Sequence, residues 1–169
     1  MGAPKITEDM KGIWNVSCYY PGFEPKILAF SCNWCSYAAA DLAGTSRIQY
    51  PTNLRIIRVM CSGMVHPNMV TEAFQLGADG VLVMGCHLGE CHYQDGNQRA
   101  KARLSVIEEM LSLLGLEQER FRLVWCSSAE SERFAAIARE ITDTLKGIGP
   151  SVYREDYSTY TKLESIQCL

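Results

Sequence analysis

Four short apolar runs punctuate the chain, at residues 26–32, 54–61, 80–86 and 121–126, and each ends on a cysteine: Cys32, Cys61, Cys86 and Cys126. The runs are continuous rather than alternating, as expected of strands covered on both faces. Helical patterns separate them. Residues 36–43 are rich in alanine and stop at Gly44, a residue type suited to the left-handed turn past a helix end. Residues 67–76 begin with Pro67 in the first turn and stop at Gly77. Residues 98–114 place Leu104, Ile107, Met110, Leu111 and Leu114 on one face and stop at Gly115. Residues 130–146 follow Ser127, with Glu130 at capping-box spacing, and stop at Gly147.

This alternation predicts an α/β fold: an open, mainly parallel four-stranded sheet with helices on both faces, Rossmann- or flavodoxin-like. Strand order stays open at this level. The single domain spans residues 26–149, with an N-terminal extension at 1–25 and a C-terminal tail at 150–169. The extension carries Trp14, Tyr19, Tyr20 and Phe23, and the tail carries Tyr153, Tyr157 and Tyr160. These aromatics either pack back on the domain or dock on partner subunits.

Composition narrows the function. The chain has 169 residues, 47% of them hydrophobic, which is enough for a core without staples. Net charge is −3 and no basic stripe appears, which argues against a nucleic-acid partner. The first ten residues hold no apolar run, so neither a signal peptide nor an anchor is expected. The apolar runs are strand-sized, too short to span a bilayer, so no membrane association is expected either. Cys168 stands next to the last residue rather than fourth from the end, the wrong place for a prenylation box. A cytoplasmic location follows as an expectation. In that reducing setting, eight cysteines point to metal binding or redox chemistry rather than disulfides.

In an open α/β sheet, functional groups gather at the carboxyl ends of the strands. With parallel strands, Cys32, Cys35, Cys61, Cys86, Cys91 and Cys126 all fall on one rim. Two sub-motifs have metal-ligand spacing: Cys32-Asn33-Trp34-Cys35, a C-x-x-C pair, and Cys86-His87-Leu88-Gly89-Glu90-Cys91, a C-x4-C pair. Four thiolates suit a [2Fe–2S] cluster, a [4Fe–4S] cluster or a zinc ion. Gly85 and Gly89 leave the second loop free to wrap, and its N–H groups are positioned to bond cluster sulfurs. A lone C-x-x-C that follows a strand and opens a helix also fits a thioredoxin-like dithiol. The second pair on the same rim favours metal.

Cys61, beside Ser62 and Gly63, is as well placed for ligation as for plain burial, whereas Cys126 lacks a glycine turn and reads as structural. Cys18 and Cys168 lie in the tails and read as incidental. His87 and His92 each follow a cysteine and read as donors beside the ligands or as surface residues; the first loop has no histidine, as a Rieske centre would need. His66 precedes Pro67 in a helix-start turn. There is no G-x-G-x-x-G, no Walker lysine and no G-x-S-x-G elbow. Electron transfer requires only a cluster and a docking surface.

Three segments carry a family resemblance: F-S-C-N-W-C-S-Y-A-A at 30–39, I-I-R-V-M-C-S-G at 56–63 and G-A-D-G-V-L-V-M-G-C-H-L-G-E-C-H-Y at 77–93. Together they resemble the delta subunit of methyl-viologen-reducing (F420-non-reducing) hydrogenase, over residues from about 26 to about 115. The resemblance implies a [2Fe–2S] protein that relays electrons from a hydrogenase or formate dehydrogenase module. The recipient it implies is the flavin-containing subunit of an electron-bifurcating heterodisulfide reductase, in methanogenesis. The family pattern falls on Cys32, Cys35, Cys61, Cys86 and Cys91. Relatives often have a further cysteine where this chain has Ser31, so that position is not an essential ligand. Five candidates serve four places. Loop spacing favours Cys32, Cys35, Cys86 and Cys91, while the strand-end rule keeps Cys61 in play. The rivals are a zinc-stabilised interaction module and a dithiol oxidoreductase using Cys32 and Cys35.

Overall fold

The structure is a computed structural model that describes residues 18–20, 22–157 and 167–168. Four parallel strands form the central sheet: β2 (Ile27–Cys32), β3 (Leu54–Val59), β4 (Gly80–Gly85) and β5 (Phe121–Trp125). Their order is β3-β2-β4-β5, and every neighbouring pair is parallel. The first of these strands therefore sits inside the sheet, and the order reverses between β2 and β4. Ligand sites of open α/β sheets form outside the carboxyl ends of the strands at such a reversal.

Helices cover both faces. On one face, α1 (Ser36–Thr45) and α5 (Ser131–Ile148) pack over the sheet. Ala39, Ala43, Phe134, Ile141 and Leu145 meet Ile27, Leu82 and Met84 there. The small alanines of α1 let that helix lie close. On the other face, α2 (Pro67–Gln75) and α4 (Leu104–Leu113) bring Val70, Phe74, Ile107 and Leu111 against Phe30, Val81 and Val83. The six residues of β4, in the sheet interior, are all buried, and removal of such apolar area from water is the main force holding the layers together.

Several local expectations meet corrections. Gly44 and Gly147 do not stop their helices: α1 runs through Gly44 to Thr45 and α5 through Gly147 to Ile148, where Gly149 at φ 91° ends it. The run at 54–61 is not covered on both faces: β3 is an edge strand, and its Arg55, Ile57 and Arg58 are exposed. The 98–114 pattern is two helices, α3 (Gly96–Ala102) and α4, because the turn tightens at Arg103. The Arg103 N–H bonds the Ala100 carbonyl at 3.2 Å. Its guanidinium is held by the carbonyls of Gly63 and Val65 at 2.7 and 2.8 Å. Before α5, only one half of the capping box forms: the Ser127 N–H donates to Glu130 Oε2 at 2.7 Å, and no side chain caps the helix itself.

The described parts of both ends join the domain. Phe23 is buried, with the Arg154 guanidinium over its ring. Tyr153 packs on the second core and donates its hydroxyl to the Leu114 carbonyl. Arg154 pairs with Asp79 at 2.7 Å, and Asp79 also accepts from the N–H groups of Lys26 and Ser151. Backbone pairing between β1 (Cys18–Tyr19) and β6 (Gln167–Cys168) is antiparallel, with Cys18 opposite Cys168. Trp14 and Tyr160 lie outside the described residues. Among the described residues no helix is long and apolar enough to cross a membrane.

Candidate metal centre

The sheet delivers its cysteines to one edge. Cys32 is the last residue of β2, Cys35 precedes α1, and Cys86 is the first residue after β4. Cys32 and Cys86 thus flank the reversal point. Their sulfurs lie 3.9 Å apart, and the Cys32, Cys35 and Cys86 sulfurs all lie within 4.8 Å of one another. All three residues are buried. The donation of Ser36 Oγ to the Met84 carbonyl at 2.9 Å ties the start of α1 to β4 and keeps the two loops in register.

Cys61 and Cys91 form a second group, with sulfurs 3.9 Å apart. Cys61 follows β3 and Cys91 precedes α3. The two segments meet at paired glycines. A Cβ on Gly63 would strike the Gly96 carbonyl oxygen at 2.6 Å, and one on Gly96 would overlap Cys61 Sγ and crowd Cys91 Sγ at 3.2 Å. The sulfurs occupy the space a side chain would fill. Cys61 and the adjoining Ser62 connect the two groups, because Cys32 Sγ lies 3.7 Å from the Met60 carbonyl and accepts from the Ser62 N–H.

The electrostatics divide these thiols into donors and acceptors. Hydrogen bonding from the Cys35 thiol, aided by the Trp34 N–H, by Cys86 and by the Ser62 N–H, outweighs burial and lowers the Cys32 pKa to about 6. Cys35, as the donor of that pair and buried, is pushed well above the thiol range. Burial raises Cys61 to about 11 and also raises Cys86. At Cys91 burial is outweighed by the N–H groups of Tyr93, Asn97 and Gly96 and by the Cys61 thiol, and the pKa falls. Each group therefore holds one thiol whose neighbours favour its ionised form beside thiols that a bound cation would deprotonate.

Several supporting residues carry no sequence motif. Asn97 is fully buried, and its Nδ2 donates to the carbonyls of Cys86 and His87 at 3.2 and 2.6 Å, pinning the start of the C-x4-C loop. Its Oδ1 has no partner among the described residues. His87 Nε2 meets Glu130 Oε2 at 2.7 Å. The Ser127 N–H, with His87 second, lowers the Glu130 pKa to about 2. His92 is stacked on Trp34, and His66 caps α2 by accepting the Asn68 N–H. Cys61 and Cys91 are both candidates in the sequence, but no spacing rule pairs them, and Gly96, which makes room for both sulfurs, carries no motif. Cys126 is fully buried in the α1–α5 core, its thiol directed to the carbonyls of Ser127 and Glu130, and burial raises it to about 11.

A tetrahedral metal with bonds of about 2.3 Å to sulfur sets its ligand sulfurs about 3.8 Å apart. Both 3.9 Å pairs meet that spacing, so the donor set fits a thiolate-bound metal group. Fold and site together define an α/β protein whose sheet edge can hold metal between loops that carry thiols. Over residues 27–149 the sequence matches the family described as methyl-viologen-reducing hydrogenase, delta subunit, and the chain belongs to that family. It is 47% identical over 134 residues to the iron-sulfur subunit of the vhc F420-non-reducing hydrogenase of Methanococcus voltae, covering 79% of this chain and 93% of that one. The corresponding F420-non-reducing hydrogenase iron-sulfur subunit of Archaeoglobus profundus is also 47% identical, over 128 residues, covering 76% of this chain and 93% of that one. A ferredoxin:CoB-CoM heterodisulfide reductase subunit of Methanosarcina mazei is 51% identical over 144 residues. That match takes in 84% of this chain but only 18% of the Methanosarcina protein.

Proposed function

We propose that this chain is an electron-transfer subunit with one [2Fe–2S] cluster, one iron held by Cys61 and Cys91 and the other by Cys32 and Cys86. The single observation that carries the reading is the pair of 3.9 Å sulfur–sulfur separations, one in each of two adjoining groups on the same edge. Such a cluster, when bound, takes up and gives back one electron without making or breaking a substrate bond. The chain's own part is to hold, tune and shield. Cys32 and Cys91 are the thiols that surrounding donors shift toward the ionised form. The Ser62, Tyr93, Gly96 and Asn97 N–H groups bond their sulfurs, and burial of Cys32, Cys61 and Cys86 keeps bulk water away. Cys35 is the fifth thiol, protonated and within reach of the same end.

The relatives suggest the partners. The two hydrogenase iron-sulfur subunits match along 93% of their length, while the Methanosarcina relative carries the equivalent stretch inside a longer chain that bears the name of heterodisulfide reductase. That the same stretch stands alone in some relatives and inside a longer chain in another supports docking of this chain on a counterpart of the longer protein. The electron path we propose runs from a hydrogenase or formate dehydrogenase module to the flavin-containing subunit of heterodisulfide reductase, in the cytoplasm of a methanogen or related archaeon; the names of the relatives support its hydrogenase and heterodisulfide reductase ends.

Anaerobic purification with metal and sulfide analysis tests the assignment. Two irons and two sulfides per chain, and an EPR signal on one-electron reduction, are expected. A colourless, EPR-silent protein with one zinc would favour the other metal reading, which draws on the compact Cys32, Cys35 and Cys86 triad. The dithiol-enzyme alternative finds less support, because Cys32 and Cys35 are 1% and 4% exposed and offer little sulfur surface to a disulfide substrate.

A further inference from the structure

Trp34 stands between the two cysteines of the first loop, yet its side chain reaches the second loop. Its indole lies flat on the His92 ring, with centroids 3.9 Å apart and planes 16° apart. Its Nε1–H donates to the Tyr93 hydroxyl at 3.1 Å. His92 and Tyr93 are themselves packed edge to face at 5.0 Å. One indole therefore grips two consecutive residues of the other loop.

Those two residues carry the peptide groups that face the sulfurs. The main-chain N–H of His92 bonds Cys86 Sγ, and that of Tyr93 bonds Cys91 Sγ. One donor serves each of the two thiol groups. The segment that presents them is a tight exposed turn, closed internally by the Gln94 N–H on the Cys91 carbonyl and the Asp95 N–H on the Tyr93 carbonyl, with Gln94 in the left-handed region at φ 70°. The Gly96 and Asn97 N–H groups hold the far end of this turn on Cys91 Sγ, and its exposed side at His92 and Tyr93 is the part that the first loop contacts. Trp34 reaches that side from the first loop.

We propose that Trp34, through its stack on His92 and its hydrogen bond to Tyr93, is a positioning residue that holds the His92 and Tyr93 N–H groups on the Cys86 and Cys91 sulfurs and so sets the reduction potential of the cluster. The inference rests on the [2Fe–2S] reading above. Its physical basis is that N–H donors to ligand sulfur stabilise the more negative, reduced state and raise the potential. Trp34 and Tyr93 are each 45% exposed. Exposed rings of this kind lend themselves to replacement without collapse of the core.

The test is EPR-monitored redox titration of wild type, Trp34→Phe, Tyr93→Phe and the double variant, each with iron and sulfide measured. Trp34→Phe keeps a ring on His92 and removes the N–H donor, and Tyr93→Phe removes the hydroxyl acceptor of the same bond. Both single variants should load iron fully and titrate at a lower potential than wild type, and the double variant should shift no further than either. Trp34→Ala removes the stack as well. It should lower the potential more and weaken the couplings of exchangeable hydrogens to the reduced cluster after transfer to deuterated water. Unchanged potentials in fully loaded single variants, additive shifts in the double variant, or loss of iron from the phenylalanine variants would each overturn the inference. A wild type with no iron–sulfur signal would instead remove the reading on which it rests.

Discussion

Cys61 Sγ lies 3.9 Å from Cys91 Sγ although the two residues are 30 positions apart and belong to different loops. The contact is made where Gly63 and Gly96 bring the turn after β3 against the start of α3. A ligand set that uses Cys91 while leaving Cys61 idle would waste the thiol best placed to share its metal. The C-x-x-C and C-x4-C spacings alone favour a different four, and the difference is testable.

Cys61→Ser and Cys91→Ser should each abolish the cluster's visible absorption and its EPR signal. Cys35→Ser should retain most of both, because Cys35 is the thiol left over at the Cys32–Cys86 end. Iron per chain after anaerobic purification is the measurement. Full iron in Cys61→Ser together with loss in Cys35→Ser would restore the assignment based on loop spacing.

Gly96→Ala should impair metal incorporation nearly as much as loss of a ligand. Its new methyl overlaps Cys61 Sγ and has Cys91 Sγ at 3.2 Å. Neither sulfur can retreat without leaving its partner. Gly44→Ala is the matched control, since nothing lies within 4 Å of a methyl there and an alanine near a helix end is harmless or stabilises by up to about 1 kcal/mol. Equal iron content in both variants would refute the steric account.

How much of this is legible in the sequence follows from the range of each interaction. Cys32, Cys61, Cys86 and Cys126 each close an apolar run, so parallel strands alone put them on one edge, and the α/β class follows from the same alternation. The order β3-β2-β4-β5 is set by which helix covers which strand pair. That is a packing outcome without a local signature, and it is why the run at 54–61 reads, taken by itself, as covered on both faces. The pairing of Cys61 with Cys91 depends on the same order. Asn97 has no local signature because its role is to pair carbonyls ten and eleven residues back, and no residue pattern encodes carbonyl positions. Arg103 breaks a helical periodicity that looks continuous, because its guanidinium is anchored to a turn forty residues away.

Asn97→Ala should destabilise the protein by about 1–3 kcal/mol, the cost of leaving buried carbonyls without donors. Asn97→Asp should cost more, since it turns an acceptor toward the carbonyls of Cys86 and His87. Denaturant unfolding of the anaerobic protein reads the loss, and iron release in chelator should quicken in the same order. An aspartate variant as stable as wild type would mean that the side chain does not clamp this loop.

Asp79→Ala should cost about 3–5 kcal/mol, the range for removing one member of a buried ion pair. Asp79 is fully buried and accepts from Lys26 N, Ser151 N and Arg154 Nη1, so it fastens residues 151–154 to the start of β2. The same substitution should expose the chain beyond Gly149 to limited proteolysis. Unaltered cleavage would show that this segment is held by other contacts.

Glu130 gives a prediction with a sign. The Ser127 N–H and His87 hold its pKa near 2, below the ordinary carboxylate value of 4.5. A group whose folded pKa is depressed binds its proton more weakly folded than unfolded, so its contribution is fully present above pH 4.5 and is lost as pH falls toward 2. Wild type should therefore unfold at a higher temperature than Glu130→Gln at pH 7, and the gap should narrow as the pH is taken below 4.5. Because the carboxylate is about a third exposed, solvent screening keeps the gap modest. Comparing the two proteins at each pH cancels the acid sensitivity of the thiol edge, which both share. A gap that stays constant from about pH 7 to about pH 3 would show that the carboxylate's charge contributes nothing to the link between the C-x4-C loop and α5.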